Sequence, residues 1–163
     1  MTVPASGVFL SVRRGTLTDA QAILDCLRSA FEPYRAMYTD EAFADTVLTP
    51  ETIDKRLSEM CVLVATSSAG EIIGTVSLSV VNSEEGHIRG MAVRPDWQGQ
   101  GVAESLLRAV ESELRERKCS RISLDTTEPL LRAIRFYERH GFRPSGVVAD
   151  FFRMRLFEYV KEI

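Results

Sequence analysis

Gln98-Gly-Gln-Gly-Val-Ala103 joins an apolar, strand-like run to an amphipathic, helix-like one. Gly99 and Gly101 permit positive φ and let backbone N–H groups come close to a ligand. A helix starting near Gly101 adds unpaired N–H groups and the positive end of its dipole. Together these make a site for phosphate oxygens. Phosphoryl transfer is excluded, because a P-loop needs Lys and then Ser or Thr after its last glycine, and Val102-Ala103 stand there. A dinucleotide fingerprint needs three glycines directly after a strand. Here the third position is Glu104, and Arg-Pro-Asp-Trp-Gln separates strand from loop. Asp125 does end the next strand-like run, where a ribose-binding acid would stand, so a dinucleotide oxidoreductase remains an alternative. A bare strand-to-helix turn without a ligand is the other reading of the loop alone.

The elements that must carry this loop are legible in outline. Val8–Arg14 reads as a strand, and Thr18 with Gln21 reads as a capping box opening a helix that carries Ile23, Leu24, Leu27 and Phe31. Thr49-Pro50 opens a second helix. Cys61–Ser67, Glu71–Val81 and His87–Val93 follow as three strands joined by short polar turns, an antiparallel meander. After the glycine loop, Val102, Leu106, Val110 and Leu114 recur at helical spacing. Arg121–Thr126 reads as a buried strand and Glu128–His140 as a helix with Gly141 after its end. Phe142–Val148 and Phe151–Tyr159 complete the set. A strand, helix, strand unit inside a meander implies a mixed sheet with helices on it.

The totals agree with this. The 163 residues suit one domain, 1–163, with 45% hydrophobic and 26% charged residues, ordinary for a soluble protein. No stretch has the ~20 apolar residues of a membrane span, and the start carries no basic, apolar leader. The expectation is a cytoplasmic protein without a membrane partner. Cys26, Cys61 and Cys119 are scattered, with no His or second Cys at ligand spacing, so neither a disulfide framework nor a metal site is expected. Twenty Lys plus Arg against 23 Asp plus Glu give a net charge of −3, which offers no global case for nucleic acid.

Two motifs add a family resemblance. Gln98, Gly101 and Ala103 match the loop Arg/Gln-x-x-Gly-x-Gly/Ala, and Ala133, Phe136, Tyr137, Gly141 and Phe142 match Ala-x-x-Phe/Leu-Tyr-x-x-x-Gly-Phe. In this order and on these elements they resemble the GNAT superfamily of N-acyltransferases, over Val8 to about Tyr159. The resemblance implies an α/β fold with a mostly antiparallel sheet of about seven strands and about four helices, splayed between the fourth and fifth strands. It implies acetyl-CoA as cosubstrate, without a metal. The pyrophosphate would rest on the amides of Gln98, Gly99, Gln100, Gly101, Val102 and Ala103. The backbone of Met91, Ala92 and Val93 would pair with the pantetheine arm. One departure is Leu130, where many members carry Asn; Thr126, Thr127 or Glu128 would have to supply that polar contact.

The chemistry implied is direct attack of an amine on the thioester. An alkylammonium has a pKa near 10.4, so a base or a water chain must take its proton, and the departing thiolate needs an acid. The resemblance places Tyr137 beside the sulfur as that acid; packing on an apolar helix face is the alternative role. Some members carry a Glu base at the position held here by His87, whose unperturbed pKa near 6.5 leaves it neutral at pH 7. Glu84, Glu85 or water are alternatives for the base, and a polar residue at a strand start is the plain reading of His87. An unbroken strand would put His87 on the same side as Arg89, Met91 and Val93. Phe31–Asp45 reads as the segment joining the first two helices and mixes aromatics with acids; the resemblance places it at the acceptor site, where it would suit a cation, and a solvated loop anchored by aromatics is the other reading. The acceptor would be a small-molecule amine or a protein or peptide amine, and a homodimer is a family-level expectation. A non-catalytic acyl-CoA-binding sensor is the rival on the same scaffold.

Overall fold

The computed structural model describes residues 11–163, so 8–10 of the expected first strand lie outside the described residues. The order is β1 (Ser11–Arg14), α1 (Ala20–Phe31), α2 (Asp40–Val47), α3 (Pro50–Glu59), β2 (Cys61–Thr66), β3 (Ile72–Val80), β4 (Glu85–Val93), α4 (Val102–Glu116), β5 (Arg121–Thr127), α5 (Leu131–Arg139), β6 (Arg143–Phe151) and β7 (Met154–Glu162). The strands form one seven-stranded sheet in the order β1-β2-β3-β4-β5-β7-β6. Among the described strands only β4 and β5 pair in parallel, joined across α4.

β2 is buried along its whole length because both faces of the sheet are covered. Cys61, Leu63 and Ala65 join a core with Leu106, Val110 and Leu114 of α4. Val62 and Val64 face Ile23 and Leu27 of α1, Phe43 of α2 and Ile53 of α3 on the other side.

Two local expectations are corrected. Thr18 and Gln21 do not form the first cap. Thr16 N–H donates to the Asp19 carboxylate at 2.8 Å, and Arg13 donates to the same group at 2.8 and 2.9 Å. A charged acceptor makes the stronger bond, while Gln21 turns to Asp25 at 2.9 Å. The described residues also hold five α-helices, because Asp40–Val47 is a helix and not a joining loop. Thr39 Oγ1 accepts from Ala42 N–H at 3.2 Å, Asp40 and Glu41 meet the positive end of the dipole, and Ala42, Phe43 and Val47 are buried.

Two irregularities shape the centre of the sheet. Ser77 lies opposite Arg89 and Thr75 opposite Ala92, so two steps on β3 match three on β4. The extra residue bulges the strand at Gly90, whose φ of +61° favours glycine. The pairing of β4 with β5 covers only Glu85–Ile88 against Arg121–Leu124. Beyond it β4 stays with β3 to Val93 and β5 stays with β7 to Thr127. The two strands part, and the expected splay between the fourth and fifth strands is present.

Candidate active site

The parted strands open a cleft of about 1030 Å³ that runs through the sheet. At one end lies the glycine loop. Gly99 and Gly101 have φ of +77° and +82°, and Gly101 is the N-cap of α4. The first bond of α4 runs from Ser105 N–H to the Gly101 carbonyl at 3.1 Å, which leaves the earlier amides of the helix without intrahelical partners. Gln98 ties the loop down: its Nε2 donates to the Val93 carbonyl at 3.1 Å and its Oε1 accepts from Arg132 of α5 at 2.9 Å. Gln98, Gly99, Gly101, Val102 and Ala103 line the cleft. Gln100 does not; it is exposed, and its side chain donates to the Asp96 carbonyl at 3.0 Å.

Met91, Ala92 and Val93 also line the cleft. β3 pairs with one edge of β4 here, and the other edge faces the gap left by β5. Across the gap, Thr126 Oγ1 is buried without a hydrogen-bond partner. A buried hydroxyl in that state costs about 1–3 kcal/mol unless something completes it.

Tyr137 reaches the cleft from the α4 side, packed edge-on against Phe136 and Phe142. It is 7% exposed. Burial pushes its pKa up, so the phenol keeps its proton through the neutral range.

His87 reaches the cleft from the opposite face. The bulge is the reason: Ile88 and Val93 both join the α4-side core, whereas His87 pairs with Ser79 on the side of α1 and α3. The unbroken-strand expectation that His87 and Val93 share a face is therefore overturned. His87 Nδ1 lies 2.8 Å from Ser123 Oγ, which donates to Glu85 Oε2 at 3.2 Å. A hydroxyl has one proton, so Nδ1–H is the donor to Ser123 and Nε2 carries the lone pair. Nε2 stands 3.5 Å from Asp125 Oδ2. Burial lowers the His87 pKa against the pull of Asp125, and burial raises that of Asp125 against the pull of His87. The imidazole is neutral at pH 7. Glu85, an alternative base in the sequence, is engaged by Ser123 and by Arg121 at 3.2 Å.

The turn between β6 and β7 lines the cleft away from the glycine loop, through Phe151 and Phe152. Phe152 and Arg153 hold φ of +49° and +69° there. The Phe152 carbonyl accepts from Thr39 Oγ1 at 2.9 Å, and Arg153 pairs with Glu41 at 3.4 Å. Tyr38 lines this end and hydrogen-bonds Thr127 through its hydroxyl. The aromatic and acidic segment is thus at the cleft, as a helix that anchors the turn.

The Acetyltransferase (GNAT) family model matches residues 21–142. The chain belongs to the GNAT family of acetyltransferases. An aminoglycoside N(6')-acetyltransferase type 1 of Stenotrophomonas maltophilia is 31% identical over 107 residues, which cover 61% of this chain and 69% of that one. The PaiA N-acetyltransferase of Thermoplasma acidophilum, solved in complex with coenzyme A, superposes with a TM-score of 0.78 at 16% identity, covering 95% of this chain and 99% of that one. A GNAT family acetyltransferase of Elizabethkingia anophelis with acetyl-CoA bound gives 0.71 at 19% identity, over 94% and 98%.

Within this GNAT fold the dinucleotide alternative has no support. Asp125, its ribose-binding candidate, lies 3.5 Å from His87 Nε2 in the cleft. Nor do the cysteines offer a covalent route. All are buried, none lines the cleft, and burial pushes the Cys26 thiol up to about 12. Among the described residues no helix is long and apolar enough to cross a membrane, and no cluster of His, Cys, Asp and Glu is arranged for a metal ion. Sequence reasoning passed over Arg132, whose Nη2 lies 3.9 Å from where a Cβ on Gly99 would sit. It also passed over Arg56 and Ser123. None has a motif, because each acts through a partner distant in the chain.

Proposed function

We propose that this GNAT chain, read as one domain over 1–163, transfers an acetyl group from acetyl-CoA to an amine by direct attack. The observation that carries the reading is the parting of β4 and β5 beyond Ile88 and Leu124, which opens one cleft to the glycine loop, Tyr137 and His87. The residues present fit the cosubstrate. Unpartnered amides at the start of α4 and the Arg132 guanidinium suit a pyrophosphate. The free edge of Met91, Ala92 and Val93 suits the amides of a pantetheine arm, and Thr126 Oγ1 offers the polar contact that Leu130 lacks. Acetyl-CoA supplies the activated acyl group as a thioester.

Tyr137 and His87 lie on opposite faces of the sheet, so the leaving thiol and the incoming amine are served separately. His87 Nε2 takes a proton from the substrate ammonium, and Glu85 and Ser123 hold the ring in the tautomer that leaves this nitrogen free. The neutral amine forms the C–N bond while the C–S bond breaks. Tyr137 gives its proton to the thiolate and regains one as the new amide nitrogen sheds its surplus proton. The products are the amide, free CoA and one proton released to solvent.

Thiol release from acetyl-CoA against a panel of amines, with calorimetric titration of CoA alongside, tests the proposal. Transfer to at least one amine is the expected result. CoA binding without transfer to any amine would instead favour an acyl-CoA sensor, and no CoA binding would remove the loop from the site.

A further inference from the structure

One buried charge in the cleft has no role in this chemistry. Arg56 of α3 is 9% exposed and lines the cleft. Its guanidinium offers five N–H donors. Among the described residues it makes one side-chain hydrogen bond, from Nη1 to Ser77 Oγ at 3.5 Å, and no ion pair. The nearby Asp45 is taken by Arg89 at 3.2 Å. Burial and the charge of Arg89 push the Arg56 pKa down to about 10 against the pull of Asp45, so it stays charged at neutral pH. An arginine this buried is ordinarily paired.

Its position is specific. Nη1 lies 3.0 Å from where a Cβ on Gly90 would stand, so the group sits over the β4 bulge. Ser77, Arg89 and His87 share that face of the sheet. His87 is three residues along the strand, about 10 Å at the usual rise. This is the acceptor side of the parted strands.

We infer that the acceptor amine carries a carboxylate, which Arg56 receives at the β4 bulge, so that the substrate class is a small amino acid-like zwitterion. The inference rests on the acetyltransferase reading and names the substrate of that same site. On this face of the sheet Arg89 is engaged by Asp45 and Arg56 has no ion pair among the described residues, so one positive charge faces the acceptor, which matches a monoanion better than a phosphate dianion. The same buried cation opposes a polycation such as an aminoglycoside, so this site differs in kind from one built for the amine named in the Stenotrophomonas relative. A carboxylate has the planar, bidentate geometry that a guanidinium fork accepts.

The test uses matched pairs, leucine against isopentylamine and phenylalanine against phenethylamine, with kanamycin as the polycation. Each is assayed by thiol release and titrated calorimetrically into the CoA-loaded protein. The amino acid of each pair is expected to win by about 10- to 100-fold, the range for a charge-assisted hydrogen bond whose buried partner would otherwise go unmet. Arg56→Gln should erase that preference, and Arg56→Lys should keep part of it. Because the guanidinium lacks a carboxylate partner, Arg56→Met should keep or raise the Tm, whereas a structural role would lower it. Amines that equal their amino acids in both assays, or a preference that survives Arg56→Gln, overturn the inference. If CoA binds but no amine is acetylated, the transfer reading falls. The titrations still decide the carboxylate, by whether its advantage exists and depends on Arg56.

Discussion

Replacing Gly101 by Asp and by Asn separates charge from shape at the candidate phosphate site. Gly101 caps α4 with φ +82° and ψ 7°, and a Cβ there would meet nothing within 4 Å. The Cβ of either variant has room, and both incur the left-handed conformational cost of about 1–2 kcal/mol, which falls on stability. Asn and Asp have nearly the same volume and tolerate this region comparably. Only the carboxylate charge distinguishes them. A unit charge about 6 Å from one phosphate charge costs roughly 0.7–2.8 kcal/mol for effective dielectric constants of about 80 to 20. That is roughly a 3- to 100-fold loss in CoA affinity. Calorimetric titration of CoA into wild type, Gly101→Asn and Gly101→Asp at low salt reads it directly, with thermal melts confirming that each is folded. Asp should bind more weakly than Asn by that factor, and the gap should narrow as salt rises. Equal dissociation constants for Asn and Asp would refute the placement of phosphate at the start of α4.

Three further outcomes are expected. Tyr137→Phe should retain CoA affinity and lose about 10²–10⁴-fold in kcat, the range for a missing general acid; a twofold change would make Tyr137 a packing residue only. The His87 base must be neutral, and burial lowers its pKa, so kcat/KM should be level at pH 7 and fall as pH drops through a single ionisation below 6.5. His87→Gln should lose that limb, and a mutant with the wild-type profile would point to a water chain. A Cβ on Gly86 would lie 2.4 Å from Leu114 Cδ2, so Gly86→Ala should destabilise by about 1–3 kcal/mol in urea titration. Leu114→Val should recover part of this, and a Gly86→Ala protein as stable as wild type contradicts the packing.

Much of the site lies in short segments that a reader of the chain meets whole. The loop from Gln98 to Ala103 is one of these, since two glycines, an apolar strand before and an amphipathic helix after determine an anion cradle by local backbone geometry. The segment Ala133 to Phe142 is another, and it delivers Tyr137 on the buried side of α5. Asp40–Val47 carries a local helix signal too, in Thr39 followed by two acids, but its eight residues are held as a helix by the burial of Ala42, Phe43 and Val47, which is tertiary.

What the sequence by itself determined is the seven strands, four of the five α-helices of the described residues and most of their local turns, because glycine conformations and apolar periodicity depend on neighbours a few positions away. Only the tertiary structure decided where β4 gains its extra residue. That depends on pairing with Ser77 and Thr75 of β3, and one residue of register moves His87 to the face opposite Val93. The tautomer of His87 likewise waited on Ser123 and Glu85 meeting across two strands. Arg56 reads in the chain as one more charge on an amphipathic helix. It becomes a buried cation over Gly90 only when α3 packs on the sheet and Asp45 is drawn to Arg89, because burial and charge pairing are properties of what surrounds a side chain and not of its place in the sequence.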